Sequence, residues 1–110
     1  MPLVANSALP TFERLRREGE VVVPGDAALH QDIRELHIGL LNMMPDSALA
    51  ATERQFFRLI GESNQIAQFY MHPFTVKELK RSAEAEAYVG KYYESFDQIR
   101  EQGLDALIIT

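Results

Sequence analysis

Apolar side chains recur along this sequence with two periods, and the switches between them divide it into elements. The most regular stretch is Leu49, Glu53, Phe56, Phe57 and Ile60, at i, i+4, i+7, i+8 and i+11. That spacing lays four apolar side chains along one stripe of a helix. Pro45 lies just before it, Asp46 or Ser47 can cap its first turn, and Gly61 predicts its end. Upstream, Leu36, Ile38, Leu40 and Leu41 leave little polar interruption between Glu35 and Asn42, the pattern of a strand covered on both faces. Gln65 to Met71 predicts a second strand, ended by His72-Pro73. Val76 to Arg81 suggests a short helical turn, and Ala83 to Tyr93 a helix with Tyr88, Val89 and Tyr92 available for packing. Phe96 to Gln102 adds another turn or two, closed by Gly103. Leu104 to Thr110 is a third strand, whose Ala106, Leu107, Ile108 and Ile109 predict a central, buried position.

Ahead of these elements, Pro10-Thr11 starts a short helix carrying Phe12, Leu15 and Arg16, and Gly19 stops it. Glu20 to Val23 is a β-branched run that the turn dipeptide Pro24-Gly25 ends, and Asp26 to Asp32 is polar and reads as loop. Residues 1–34 are therefore expected to form an extended lead-in, which wraps the surface or reaches a partner subunit. Residues 35–110 are expected to form the first part of an α/β domain. Their order, β-α-β-α-β, is that of an open, doubly wound parallel sheet with right-handed crossovers. A parallel strand as apolar as Leu104–Thr110 needs neighbours on both sides and helices on both faces. The expectation is thus of a truncated domain whose sheet continues past Thr110.

Composition narrows the function classes. A chain of 110 residues has room for one domain and one core. A formal net charge of -5 disfavours nucleic acid. Arg14, Arg16 and Arg17 interleave with Glu13, Glu18 and Glu20, so that basic cluster reads as a solvated helix face. No apolar run approaches the roughly 20 residues of a membrane span, and Met1 to Pro10 lacks the basic start of a signal peptide. The expected compartment is the cytoplasm. The sequence contains 0 cysteines, which removes disulfides, zinc-thiolate sites and a cysteine nucleophile from these residues.

Ligands of open α/β sheets bind at the carboxyl ends of the strands, which directs attention to Asn42–Ser47 and Met71–Thr75. Neither GxGxxG nor GxxxxGK[ST] is present, so no dinucleotide or P-loop site is indicated. Asn42 reads as a hydrogen-bonding residue at a strand end, Met43 and Met44 as packing residues, and Asp46 as a helix cap rather than an acid. His30, His37 and His72 do not have metal-ligand spacing. His37 and His72 each read as a satisfied side chain rather than a base. Glu53, on the inner stripe of the long helix, is either a stripe edge or a hydrogen-bonding group beside the first strand. These residues by themselves describe an α/β module and name no reaction.

Several stretches carry a family likeness. They are Arg14-Leu15-Arg16-Arg17-Glu18 and on to Val21, Ala28-Leu29-His30-Gln31-Asp32-Ile33-Arg34, and Ile38-Gly39-Leu40-Leu41-Asn42-Met43-Met44-Pro45. Thr52-Glu53 then leads into Gln55-Phe56-Phe57-Arg58-Leu59, and Phe96-Asp97-Gln98-Ile99 precedes Leu104 to Thr110. Together they resemble the N-terminal region of the homoserine O-succinyltransferases of methionine biosynthesis. The resemblance implies a fold like the class I glutamine amidotransferases and a covalent acyl transfer. A cysteine would take the succinyl group from succinyl-CoA, a histidine–glutamate pair would assist, and the hydroxyl of L-homoserine would receive it. In the family all three catalytic residues lie downstream of the turn that follows this strand, so no catalytic residue is assigned here and the 110-residue chain is expected to be inactive. No metal and no cofactor are implied, succinyl-CoA being a substrate, and the intact protein is expected to be a homodimer. Asp46-Ser47 stands where some relatives have paired lysines. The choice of succinyl over acetyl is the family default, set by residues beyond Thr110.

Two other classes compete. A stand-alone flavodoxin-like binding module of receiver type would need acidic residues at the end of the first strand and an aspartate ending the third, where this chain has Asn42 and Thr110. An interaction protein would use the lead-in helix and an open strand edge.

Overall fold

A computed structural model describes residues 3–25, 34–63 and 67–110. The expected polar loop, and His30 with it, lie outside the described residues. In chain order the elements are β1 (Leu3–Ala5), α1 (Pro10–Arg17), β2 (Val22–Pro24), β3 (Arg34–Leu41), α2 (Asp46–Ser63), β4 (Ala67–Phe74), α3 (Ala83–Tyr92), α4 (Phe96–Gln102) and β5 (Ala106–Ile109). Among the described residues the strands form one five-stranded sheet in the order β2-β1-β4-β3-β5, and every pairing is parallel. The α/β class and the parallel sheet follow the sequence expectation.

The residues ahead of β3 join this sheet. Leu3 pairs with Phe69 and with Val22, so β1 and β2 extend it on the side away from β5. Successive side chains of a strand point to opposite faces, and one face of the sheet carries most of the core. Leu3, Ile38, Leu40, Phe69 and Met71 meet Phe12 and Leu15 of α1 and Leu49 and Phe57 of α2 there, with the rings of Phe12 and Phe57 5.6 Å apart. Leu15, Leu40 and Phe57 have no exposed surface. The other face holds the smaller cluster of Val4, Val23 and Tyr70.

Local chemistry sets the helix ends. The Ser82 hydroxyl accepts from the Ala85 N–H and starts α3. Ser95 and Gln98 form a reciprocal capping box at α4, and Gly103, at φ +79°, ends it.

Four expectations are corrected. Gly61 does not stop α2, which runs to Ser63. A Cβ on Gly61 would lie 3.0 Å from Leu3 Cγ, so its bare backbone makes room for β1. His72-Pro73 does not end β4, which continues to Phe74. The Met71 and Pro73 carbonyls face Asn6 and Glu94, and residues of one parity in a strand direct N–H and C=O to the same side. The N–H that Pro73 lacks would therefore point past the end of the short β1, where no ladder bond is lost. Residues 76–81 form a turn and bend rather than a helical turn. Finally, β5 is an edge strand among the described residues: Leu107 is 49% and Ile109 63% exposed. Only β3 pairs with it here, and its side chains on the face opposite the main core are largely exposed.

Candidate functional site

The carboxyl end of β3 runs directly into a buried polar junction. Asn42, with 0% exposure, donates from Nδ2 to the Leu49 carbonyl at 3.0 Å and to the Tyr93 hydroxyl at 3.1 Å. Its Oδ1 accepts the Met44 N–H at 3.2 Å. Main-chain bonds from Asn42 N to Phe74 O and from Met43 N to Thr110 O tie this turn to the ends of β4 and β5. The expected strand-end role of Asn42 is what the geometry shows. Met43, expected to pack, is 38% exposed because the turn directs it outward.

Tyr93 passes the network on to Glu53, donating to Oε1 at 2.7 Å. Tyr88 donates to Oε2 at 3.1 Å, and Thr11 of α1 donates to Oε2 as well. Of the two readings left open for Glu53, the hydrogen-bonding one holds: its side chain has 0% exposure. Burial pushes the Glu53 carboxyl above its ordinary pKa, and the Thr11, Tyr93 and Tyr88 hydroxyls pull the other way without cancelling it. Burial, reinforced by the facing Glu53, also pushes the Tyr88 and Tyr93 hydroxyls upward.

Arg81 holds the outer side of the same turn. Its side chain is only 4% exposed. Nη1 donates to Met44 O and Asp46 Oδ1, both at 3.0 Å, and Nη2 donates to Asn42 O at 3.4 Å and Thr75 Oγ1 at 3.3 Å. Asp46 Oδ2 accepts the Ser82 N–H at 2.8 Å. That backbone bond, with the Arg81 guanidinium, holds the Asp46 carboxyl below its ordinary pKa. Asp46 thus joins the first turns of α2 and α3 and is not free to act as an acid. A cavity of about 370 Å³ lies beside it, lined by Ser47, Leu49, Ala50, Ser82, Ala85 and Tyr88 among others.

The opposite face of the sheet brings together His37 and His72, which sequence reading treated separately. His37 Nδ1 lies 2.8 Å from His72 Nε2, and their rings stack at 5.1 Å. Beyond them, His72 Nδ1 meets Glu94 Oε2 at 2.7 Å and His37 Nε2 meets Glu35 Oε2 at 3.3 Å. A cavity of about 420 Å³ borders this chain of groups. His72 Nε2 is engaged by His37 and, at 3.3 Å, by Gln102, so both ring nitrogens of His72 have partners among the described residues. The bland reading of each histidine, a satisfied side chain, agrees with this geometry. Among the described residues no group of three or more His, Cys, Asp or Glu is placed to hold a metal ion, and no helix is long and apolar enough to cross a membrane. On the exposed side of α1, Arg14 pairs with Glu18 and Arg16 with Glu13, as the interleaved charges suggest.

The arrangement therefore fixes the turn at the carboxyl end of β3, the side of such sheets at which ligands bind. Comparison with known proteins gives that side a context. The family model described as Homoserine O-succinyltransferase matches residues 2–110. The chain is 78% identical over all 110 residues to the homoserine O-succinyltransferase of Nitrosococcus oceani. The figure is 76% for that of Allochromatium vinosum and 59% for that of Cardiobacterium hominis. In each case the chain spans 31% of the relative's length.

Proposed function

The chain belongs to the homoserine O-succinyltransferase family, and from that premise we propose that it forms part of an enzyme that moves a succinyl group from succinyl-CoA to the hydroxyl of L-homoserine, in methionine biosynthesis. The observation that carries the reading is the family match across residues 2–110. Residues 35–110 are assigned to the first part of a domain like the class I glutamine amidotransferases, and their strand-end turn Asn42–Ser47 to one wall of the acyl-transfer site.

The chemistry requires a nucleophile that these residues lack, there being 0 cysteines. A cysteine thiolate in the other two thirds of the family's length attacks the thioester carbon of succinyl-CoA. The tetrahedral intermediate collapses with loss of the CoA thiolate, leaving a succinyl-enzyme thioester. A histidine, oriented by a glutamate, then takes the proton of the homoserine hydroxyl as its oxygen attacks, and the cysteine leaves as thiolate. The largely exposed apolar face of β5, with Leu107 and Ile109 outward, fits a strand that further structure covers in the intact protein. The same reading has the intact enzyme cytoplasmic and homodimeric, with succinyl preferred to acetyl as donor.

Mass spectrometry of the intact protein after incubation with succinyl-CoA alone tests the route. The expected result is one succinyl group on a cysteine outside residues 1–110, discharged on adding L-homoserine. Turnover without any such adduct, or an adduct within these residues, would contradict it.

A further inference from the structure

We infer that Arg81 is a positioning residue, whose buried guanidinium sets the shape of the turn Asn42–Asp46 for the acyl transfer proposed above, a reading on which this inference rests. The surrounding segment gives no reason to bury a charge, since Lys77, Glu78 and Lys80 around it are exposed. Taking a guanidinium out of water is unfavourable unless acceptors match its fork. Here the two Nη groups find four acceptors while the buried Nε–H has none among the described residues, and three of the four, Asn42 O, Met44 O and Asp46 Oδ1, come from five successive residues of one turn. The fourth, Thr75 Oγ1, lies just past β4. One side chain thus spans the carboxyl ends of both strands, the edge at which ligands of such sheets bind.

Packing holds the outer side of this turn only in part, Met43 being 38% exposed, and the main-chain bond from Met43 N to Thr110 O ties it to the end of β5. The inner side is held by Asn42 Oδ1 on the Met44 N–H, and the outer side by Arg81. The Ser82 N–H, on the other oxygen of Asp46, closes the clasp onto the start of α3. A lysine keeps the charge but cannot address three acceptors spread over the turn. Loss of the fork should therefore move the turn while leaving the main core, on the inner side of α2, intact.

The test is made on the intact protein with Arg81→Lys, Arg81→Ala and, as a control, Lys80→Gln at the exposed neighbouring position. Displacing a wall of the site by about 1 Å lowers the rate ~100-fold. Arg81→Lys is expected to lose about that factor in kcat while KM stays within about threefold. Added guanidinium ion should restore part of the kcat of Arg81→Ala, an effect that a general loss of stability would not produce. Amide exchange at Met43, Met44 and Ser82 should accelerate in both Arg81 variants, and Lys80→Gln should match the wild type. Wild-type kcat in Arg81→Lys, or unchanged exchange at these amides, overturns the inference. If the wild-type protein itself fails to acylate homoserine, the proposed reaction falls, and the exchange measurement alone decides whether Arg81 shapes the turn.

Discussion

At the scale of single residues, the most consequential group is Glu53, a carboxyl with no exposed surface and three hydroxyl donors. Its folded-state pKa is raised above the ordinary 4.5, chiefly by burial. The folded protein therefore binds this proton more tightly than the unfolded chain does. Glu53's contribution to stability is greatest below the ordinary value and is lost as pH rises through the raised one. Melting curves of the intact protein and of Glu53→Gln, taken at a series of pH values, check this sign. The variant, having no carboxyl to ionise, should lack that part of the decline, so the melting temperature of the intact protein minus that of Glu53→Gln should fall as pH rises. A difference that rises with pH would show the opposite shift. The sequence exposed the position of Glu53 on a helical stripe, but not its partners: Thr11, Tyr88 and Tyr93 stand 42, 35 and 40 residues away. Arg81 gave no signal at all, because an arginine between Lys80 and Ser82 in a polar stretch looks like any solvated side chain. The pairing of His37 with His72 was hidden for the same reason as Glu53's partners, since it depends on which strands lie side by side.

Elements were legible where the apolar period ran long enough. The stripe Leu49–Ile60 predicted α2, and the near-continuous apolar run predicted β3, within a residue or two. β1 escaped because three residues cannot display a period. The end of α2 was misplaced because Gly61, a stop signal by residue type, is present for clearance against Leu3. β4 was cut short because Pro73 counts against a strand only where its missing N–H would face a neighbour. Burial along α2 is graded: Phe57 has 0% exposure, while Phe56 is partly buried beside the core. Phe57→Ala should then cost ~3–5 kcal/mol, the range for a large ring removed from a full core, and Phe56→Ala clearly less. Urea unfolding of the two variants in the intact protein measures this. Equal losses would mean that the stripe faces the sheet at a different angle.

For the whole molecule, the sheet order β2-β1-β4-β3-β5 puts the most apolar of the late strands at an edge among the described residues. Periodicity reported that Ala106–Ile109 is built for burial. It had no means of saying what does the burying, and Leu107 and Ile109 stand exposed. That contrast, with a chain that spans 31% of its relatives' length, fits the division of labour proposed here: these residues build and clamp one wall of a site whose nucleophile lies elsewhere in the enzyme. The most direct check is L-homoserine-dependent release of CoA thiol from succinyl-CoA, followed in parallel for the intact protein and for residues 1–110 alone. The account predicts turnover by the intact protein and a trace indistinguishable from buffer for residues 1–110. Turnover by residues 1–110, or none by the intact protein, would contradict it.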